Sequence, residues 1–307
     1  MDMTAGVKAL RQRWATPARQ QLAAEAGARL RGGGRLNDLG LGVVDGLIDL
    51  RGVSFPGRTV QLDGCRLEGL ALDAGDLTSF RFVDCTVVGC RFDRALCRDW
   101  RIWRTDFTDC SFVGADLRTS SLGAWLEGQA RGNVYDHVRF TRAKMARLGS
   151  AAATYIDCDF SDADLTMVNF WQSSLIRCTF AGKVKQVVFN GRLMGEAKPD
   201  PNPMLDIDLA QARLEGTEFR WIDLSRTLLP QDPDLVLIEN ADMLVRANLL
   251  LRARGDVPEA GHAAEILRHF SSRLGSSGTS LLNLRDVSSC ADLISEVLLG
   301  AGARRLG

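Results

Sequence analysis

Three pairs of cysteines, each pair separated by twenty residues, form the most regular arrangement of reactive side chains in the sequence. The pairs are Cys65 and Cys85, Cys90 and Cys110, and Cys158 and Cys178. A zinc site takes about four converging ligands, whereas each pair supplies two, so the spacing does not predict a metal site. We interpret these cysteines as small core residues in positions that alanine could fill, because the thiol is compact and apolar.

The histidines offer a second possible metal site. His262, Glu265 and His269 fall on one face of a predicted helix, a spacing that could serve a metal, but no further ligand accompanies them. We therefore interpret His262 and His269 as surface residues rather than metal ligands. No serine or cysteine is tied to a base by a known motif, and no glycine-rich phosphate loop is present. The sequence therefore predicts no catalytic residue, no cofactor site and no metal site.

The elements that position these side chains follow a period of five residues. Thirteen large or apolar residues recur at this interval from Leu62 to Leu122, and two further frames cover residues 155–180 and 209–229. A smaller residue, usually alanine or cysteine, lies two positions before each of them. Neither the helical period of 3.6 nor the strand period of two can bury this pattern, but a solenoid with short repeating sides can.

The repeats resemble a known family. Ala115-Asp116-Leu117, Ala163-Asp164-Leu165 and Cys158-Asp159-Phe160 are similar to the A(D/N)LXX unit of pentapeptide-repeat proteins, and the resemblance covers about residues 36–230. It implies a mainly β fold, a right-handed quadrilateral β-helix, with four units in each coil of twenty residues. Leu72, Phe92 and Phe112 should then stack in one inner column.

Two segments depart from the repeat. Glycines and irregular spacing between residues 123 and 150 predict a distorted coil. Three prolines in residues 196–203 predict an excursion from the stack, within a loop at about 195–206.

The flanks divide the chain into three parts. Residues 1–34 form a basic helical arm with a helix over 16–31, residues 35–230 form the β-helix, and residues 231–307 form a helical cap or dimerisation segment. In the last part we expect helices over 235–254, 258–274 and 286–299, packed as a small bundle. Leu249-Leu250-Leu251 is too apolar to lie in water, so these helices should cover the end of the solenoid or join two copies into a homodimer.

Charge and composition limit the function. The chain has 38 basic and 38 acidic residues, and the solenoid segment has a net charge near −2 from 24 basic and 26 acidic side chains. A nucleic-acid binder normally has a basic surface and a protein that imitates DNA an acidic one, so direct nucleic-acid binding is not expected. No segment is long and apolar enough for a membrane span, and no secretory signal is evident, so we expect a soluble cytoplasmic protein with free thiols.

One side of the solenoid offers a candidate binding surface. Arg81, Arg101, Trp103 and Arg104 fall on its outward positions, and Phe80 and Trp100 take the place of the usual small residue. Aromatic side chains and arginine dominate binding hot spots, so this could be a partner-binding patch. The alternative is a locally bulged coil in which the arginines lie over aromatic rings and pair with Asp84.

Two functions follow. The first is a non-enzymatic interaction or scaffold protein that presents flat faces to a protein partner of unknown identity. The second comes from the resemblance, because some family members protect DNA topoisomerase (gyrase) from antibiotics or toxins by imitating duplex DNA. The near-neutral solenoid favours the first.

Overall fold

The computed structural model describes residues 3–55, 57, 59–123, 132–192, 203–254, 257–274 and 278–307. Its central body is a β-solenoid of about eight turns with helices at both ends. Neighbouring coils pair in parallel, so that Phe82 lies beside Ile102 and Tyr135 beside Tyr155. The right-handed quadrilateral β-helix predicted from the repeats is therefore confirmed.

The solenoid has four faces, which we number along the chain starting from the strand Val60–Asp63. The strands of the first face are Val60–Asp63, Phe80–Val83, Arg101–Trp103, Gly149–Ala151, Asn169–Trp171, Val188–Asn190 and Glu218–Arg220. Those of the second are Arg66–Glu68, Thr86–Val88, Asp106–Thr108, Val134–Asp136, Thr154–Ile156, Ser174–Ile176 and Met204–Leu205.

The other two faces are held mostly by single bridges between coils. The third face contains the strands Leu47–Asp49, Leu70–Ala71, Ile207–Asp208 and Thr227–Leu228. The fourth contains Gly182–Lys185 and Ala212–Glu215. Single bridges continue the third face between its strands, as from Arg91 to Ser111, and the fourth face before its strands, as from Leu96 to Asp116. A short antiparallel strand, Val43–Val44, pairs with Leu47–Asp49 before the first coil.

The large residue of each repeat points inward and stacks on its equivalents. In the column behind the third face, Phe92 and Phe112 lie 4.7 Å apart with nearly parallel rings, and Phe140, Phe160 and Phe180 continue the stack at 5.4, 5.0 and 4.8 Å. Leu72 is buried one coil before Phe92, whose strand position it shares through the bridge from Ala71 to Arg91. The predicted column of Leu72, Phe92 and Phe112 is confirmed.

Each face turns into the next at a left-handed residue two positions after the large one. Asp84, Asp99 and Arg104 have φ values of 53°, 57° and 47°, and non-glycine residues occupy most of these corners. A left-handed residue costs roughly 1–2 kcal/mol when it is not glycine, so the inter-coil ladder has to supply that energy. The backbone N–H of Asp84, for example, donates to the carbonyl of Trp103 in the next coil at 3.1 Å.

The register between neighbouring coils is kept even where more than twenty residues separate equivalent positions. Phe112 and Phe140 stack although they are 28 residues apart, eight more than one coil, and Ser121 bridges directly to Gly149. The predicted distortion over 123–150 is therefore wrong for residues 132–150, which continue the regular ladder. Residues 124–131, and residues 193–202 with most of the predicted proline excursion, lie outside the described part of the chain.

Two helices cover the first coil. The sequence did not predict helix α1 (Met3–Gln12). It is followed by a turn at Trp14, whose indole N–H donates to the carbonyl of Arg51 at 2.8 Å. Helix α2 (Pro17–Arg31) is capped by the Thr16 side chain as expected and buries its small residues and Leu30. The ring of Phe55 lies so close to Gly27 that a β-carbon there would come within 2.8 Å.

The C-terminal part is not the all-helical bundle that the sequence predicted. Leu235–Ile238, expected to begin a helix, is a fully buried strand that pairs antiparallel with Ser280–Asn283 and Arg304–Arg305. Helices α3 (Ala241–Arg252), α4 (Ala260–Ser271) and α5 (Ala291–Gly300), with a 3-10 segment at Leu284–Cys290, pack around this sheet and form a second core. A continuous apolar run fits a buried strand as well as a helix, so its period could not decide between them.

This C-terminal domain is hydrogen-bonded to the last coil. The Asn283 amide donates to the carbonyl of Leu214 at 2.8 Å, and the Thr279 hydroxyl donates to that of Ile222 at 3.0 Å. Both carboxylate oxygens of Asp286 accept from the Gly216 N–H at 3.1 Å. The domain thus satisfies polar backbone groups that the final coil would otherwise expose. Among the described residues, no helix has the length and apolar character needed to cross a bilayer.

Replacing Phe92 by alanine should lower the free energy of unfolding by about 3–5 kcal/mol, because the ring is buried between its neighbours in the column. Urea unfolding followed by tryptophan fluorescence measures the loss. Met167→Ala, at an exposed corner, is the control and should change stability by less than about 0.5 kcal/mol. A Phe92→Ala variant as stable as the control would contradict the stacked core.

A chain that ends at Pro230 should associate or aggregate, since its last coil would present unpaired backbone groups and apolar side chains to solvent. Light scattering after size exclusion, with the full chain at equal concentration as control, measures the mass. A truncated chain that stays monomeric and fully soluble would rule out the capping role.

Candidate interaction surface on the first face

Two of the predicted arginines share one carboxylate. Arg81 and Arg101 are directly paired in the ladder of the first face, and both reach Asp99 on the preceding corner. The Nη2 atoms lie 2.9 Å from Asp99 Oδ2 and Oδ1, respectively. The hydrogen bond from Arg81 lowers the pKa of Asp99, which keeps it ionised. The sequence placed Arg81 near Asp84, but its partner is Asp99.

The remaining two residues lie beside this pair. Arg104 binds Asp84 through two hydrogen bonds of 2.6 Å, at the corner that leads to the second face. Trp103 is half-buried, and its backbone lies beside Val83 of the previous coil. All four predicted residues therefore occupy one surface over two coils, where two carboxylates bind three guanidinium groups.

The aromatic residues Phe80 and Trp100 point inward and take no part in this surface. Their rings stack at 6.0 Å, and the buried indole N–H of Trp100 donates to the carbonyl of Leu77 at 2.7 Å. The ladder is regular on both sides of them, so the predicted bulge is wrong, whereas the predicted pairing with Asp84 holds for Arg104. Within the described residues, arginine lies over a ring only at Trp14 and Trp221, and not in this patch.

A second tryptophan, missed in the sequence, belongs to the same face. Trp171 follows the inward Phe170 as Trp103 follows Ile102, and it is half-buried beside Ala151. Both tryptophans occupy the outward position after the large residue. The change of repeat frame between them hid the correspondence, although comparing positions within the repeat would have revealed it.

The cysteines are free and buried, which confirms their interpretation as small core residues. Several thiols lie near carbonyls of the previous coil, as Cys85 does at 3.4 Å from the oxygen of Leu62. Burial raises the pKa of Cys110 to about 12, so this thiol stays protonated and unreactive.

The histidines of helix α4 do not converge on a metal site. His262 Nδ1 lies 4.0 Å from Glu265, and both are exposed. In the described part of the chain, metal-ligating atoms cluster only at Asp136, His137 and Asp157 on the second face. Arg177 already binds both oxygens of Asp157 at 2.8 and 2.7 Å, so one of the three ligands is engaged.

Ion pairs between neighbouring coils recur at the corners of the solenoid. Asp84 binds Arg104, Asp157 binds Arg177 and Asp206 binds Arg226, in each case across twenty residues. Opposite charges also alternate between coils where no close pair forms, as at the bridge from Lys144 to Asp164. Several corners and the fourth face therefore carry both signs at the spacing of one coil.

One carboxylate on the fourth face is buried, although its two arginine partners are nearly half exposed. Asp116 is only 4% exposed and accepts hydrogen bonds from Arg98 at 2.7 Å and from Arg118 at 2.9 and 2.7 Å. Burial acts to raise the pKa of Asp116, but these hydrogen bonds outweigh it and bring the pKa well below its usual value. The carboxylate is therefore a stabilising anion at neutral pH.

Comparison with known proteins supports the repeat assignment. A family model described as pentapeptide repeats, in eight copies, matches residues 153–182. No curated protein is significantly similar in sequence. Among solved structures, the plasmid-mediated fluoroquinolone resistance protein QnrB1 is 14% identical, with a TM-score of 0.22, over 52% of this chain and 84% of QnrB1. HetL, a pentapeptide-repeat protein involved in heterocyst differentiation regulation from the cyanobacterium Nostoc sp. strain PCC 7120, is 14% identical, with a TM-score of 0.26, over 56% of this chain and 87% of HetL.

The buried carboxylate of Asp116 and the exposed carboxylate of Asp84 should respond differently to substitution and acid. Asp116→Asn should lower stability at pH 7 by about 1–3 kcal/mol, and the exposed-pair control Asp84→Asn by less than about 1 kcal/mol. Because the pKa of Asp116 is depressed in the folded state, its contribution is present above the unfolded value of about 3.9 and is lost as the pH falls below it. Urea unfolding at neutral and acidic pH should therefore show the difference between wild type and Asp116→Asn shrinking in acid. A difference that grows in acid would contradict the assignment.

Proposed function

We propose that this chain, a pentapeptide-repeat protein, is a non-enzymatic interaction protein that binds a protein partner through the tryptophans and arginines of its first face. The observation that carries the proposal is the placement of Trp103 and Trp171 at equivalent outward positions of one parallel sheet. Tryptophan and arginine are the residues that most often dominate binding energy at protein interfaces.

The geometry suits a preorganised binding surface. The first-face strands are fixed by the stacked core beneath them, so little conformational entropy is lost when a partner docks. Arg81, Arg101 and Arg104 are already oriented by Asp99 and Asp84, and their remaining N–H groups can donate to a partner. The tryptophans would supply apolar contact area, and the arginines would supply hydrogen bonds that orient the partner.

Capture from native cell extract tests this surface. Immobilised wild-type protein should retain a partner that a Trp103→Ala, Trp171→Ala double variant loses, because the substitutions remove most of the exposed aromatic area of this face. A Val43→Ala, Leu228→Ala variant, which removes exposed apolar side chains beside the third face, is the matched control. Equal capture by both variants would place the binding site elsewhere.

The paired charges at the corners of the solenoid argue against the alternative of topoisomerase protection by DNA imitation. Imitating DNA calls for a continuous row of free carboxylates, whereas corner carboxylates such as Asp84, Asp157 and Asp206 are each bound by an arginine of the next coil. Mixed charges at this spacing largely cancel beyond a Debye length of about 8 Å at physiological salt.

We therefore expect that purified protein at micromolar concentration neither inhibits DNA supercoiling by gyrase nor relieves its inhibition by a quinolone. A supercoiling assay on agarose gels, with an unrelated protein of similar charge as control, measures both effects. Potent inhibition that weakens with added salt would overturn this prediction and favour topoisomerase protection.

The setting that we propose is the cytoplasm, because buried free thiols are stable in a reducing compartment. A homodimer through the C-terminal helices stays a prediction, and the mass of the full chain in solution tests it. Neither point is required for binding through the first face.

A further inference from the structure

A groove of about 860 Å³ runs between helices α3 and α4 on the C-terminal domain. Val245 and Leu249 stand on its α3 side, 59% and 58% exposed, one helical turn apart. Gly261 and Ala264 line the α4 side, and a β-carbon added to Gly261 would meet no atom within 4 Å. The small residues on the α4 side leave space in which side chains of a bound partner could pack against the large residues on the α3 side.

The polar groups of the groove are already satisfied within their own helices. The Asn248 amide donates to the carbonyl of Leu244 at 2.8 Å, and the Ser271 hydroxyl donates to that of Leu267 at 2.9 Å. Leu251 and Ala260 form a buried apolar base. An occupant would therefore gain from apolar contact along the groove and would need few hydrogen bonds there.

The described residues that line the groove include two positive charges. Arg252 on the last turn of α3 and Arg268 on α4 line it, and no carboxylate of the described residues does. Neither guanidinium makes an ion pair or hydrogen bond with any described residue, whereas the neighbouring Arg254 binds Glu296. Because α4 folds back on α3, the two arginines belong near opposite ends of the groove.

We propose that this groove binds an amphipathic helix of a partner protein, one whose apolar stripe is flanked by glutamate or aspartate. The inference rests on the proposed interaction function and adds a second contact with its chemistry. Helices bind grooves of this kind through side chains at i, i+3 or i+4 and i+7, and flanking carboxylates would pair with Arg252 and Arg268. A symmetric contact with a second copy would instead bring like arginines together.

Binding of two synthetic probes to the full chain tests the proposal. One is a fluorescent helical peptide of about 18 residues with leucines along one face and glutamates on both flanks, and the other has lysines in place of the glutamates. Fluorescence anisotropy at low ionic strength should show the glutamate probe binding at least about tenfold more tightly. Equal binding, or preference for the lysine probe, would overturn the proposal.

Three variants locate the binding. Arg252→Glu with Arg268→Glu should reverse the preference between the probes, and Arg19→Glu, an exposed reversal on α2, should leave it unchanged. Gly261→Leu should fill the groove and weaken the glutamate probe by at least about tenfold without lowering the melting temperature. Binding that ignores these changes would place the probe elsewhere.

Two controls separate this inference from the first-face proposal. The Trp103→Ala, Trp171→Ala variant should bind the glutamate probe like wild type, so loss of the natural partner with retained probe binding supports both sites. If the glutamate probe does not bind wild type while the tryptophan variant still loses the natural partner, the groove proposal is wrong and the first-face proposal stands. A wild-type dimer that Gly261→Leu dissociates would assign the groove to a second copy and overturn the proposal.

Discussion

Each repeat of the solenoid has to place its large apolar side chain directly over the equivalent one in the previous coil, and this register constraint governs the rest of the molecule. The rings of Phe112, Phe140 and Phe160 stack at 5.4 and 5.0 Å with nearly parallel planes. That spacing is close to the distance between neighbouring strands, so side-chain stacking and backbone pairing reinforce each other. The eight extra residues between Phe112 and Phe140 are tolerated, because the described coils on either side of them pair directly and keep the same column.

The periodic part of the fold could be predicted from the sequence because its contacts repeat at a fixed separation. Knowing that Phe92 points inward fixes Phe112 one coil later. The contacts of the C-terminal domain do not repeat at a fixed separation. Leu235–Ile238 is a strand because Ser280–Asn283 and Arg304–Arg305 pair with it from distant parts of the chain, and no local pattern encodes that pairing.

The candidate surface was predicted in its position but not in its details. Repeat positions placed Arg81, Arg101, Trp103 and Arg104 on one face, whereas the partner of each arginine depends on which corner its long side chain reaches. Phe80 and Trp100 could be assigned to the interior only once the ladder was known to be regular, because large residues where small ones are usual also fit a bulge. The groove on the C-terminal domain depends on how α3 and α4 pack, which helical periodicity alone does not determine.

The left-handed corners have a consequence for how such a surface diversifies. Their backbone conformation is imposed by the ladder, so aspartate, arginine, serine and alanine all occupy it, as at Asp84, Arg104, Ser79 and Ala74. Changing the charge of a corner therefore changes the surface without changing the fold, and recognition can evolve by single substitutions on an unchanging frame. Equivalent corners of neighbouring coils lie about 4.8 Å apart. A partner that contacts several of them must therefore carry groups at multiples of that interval.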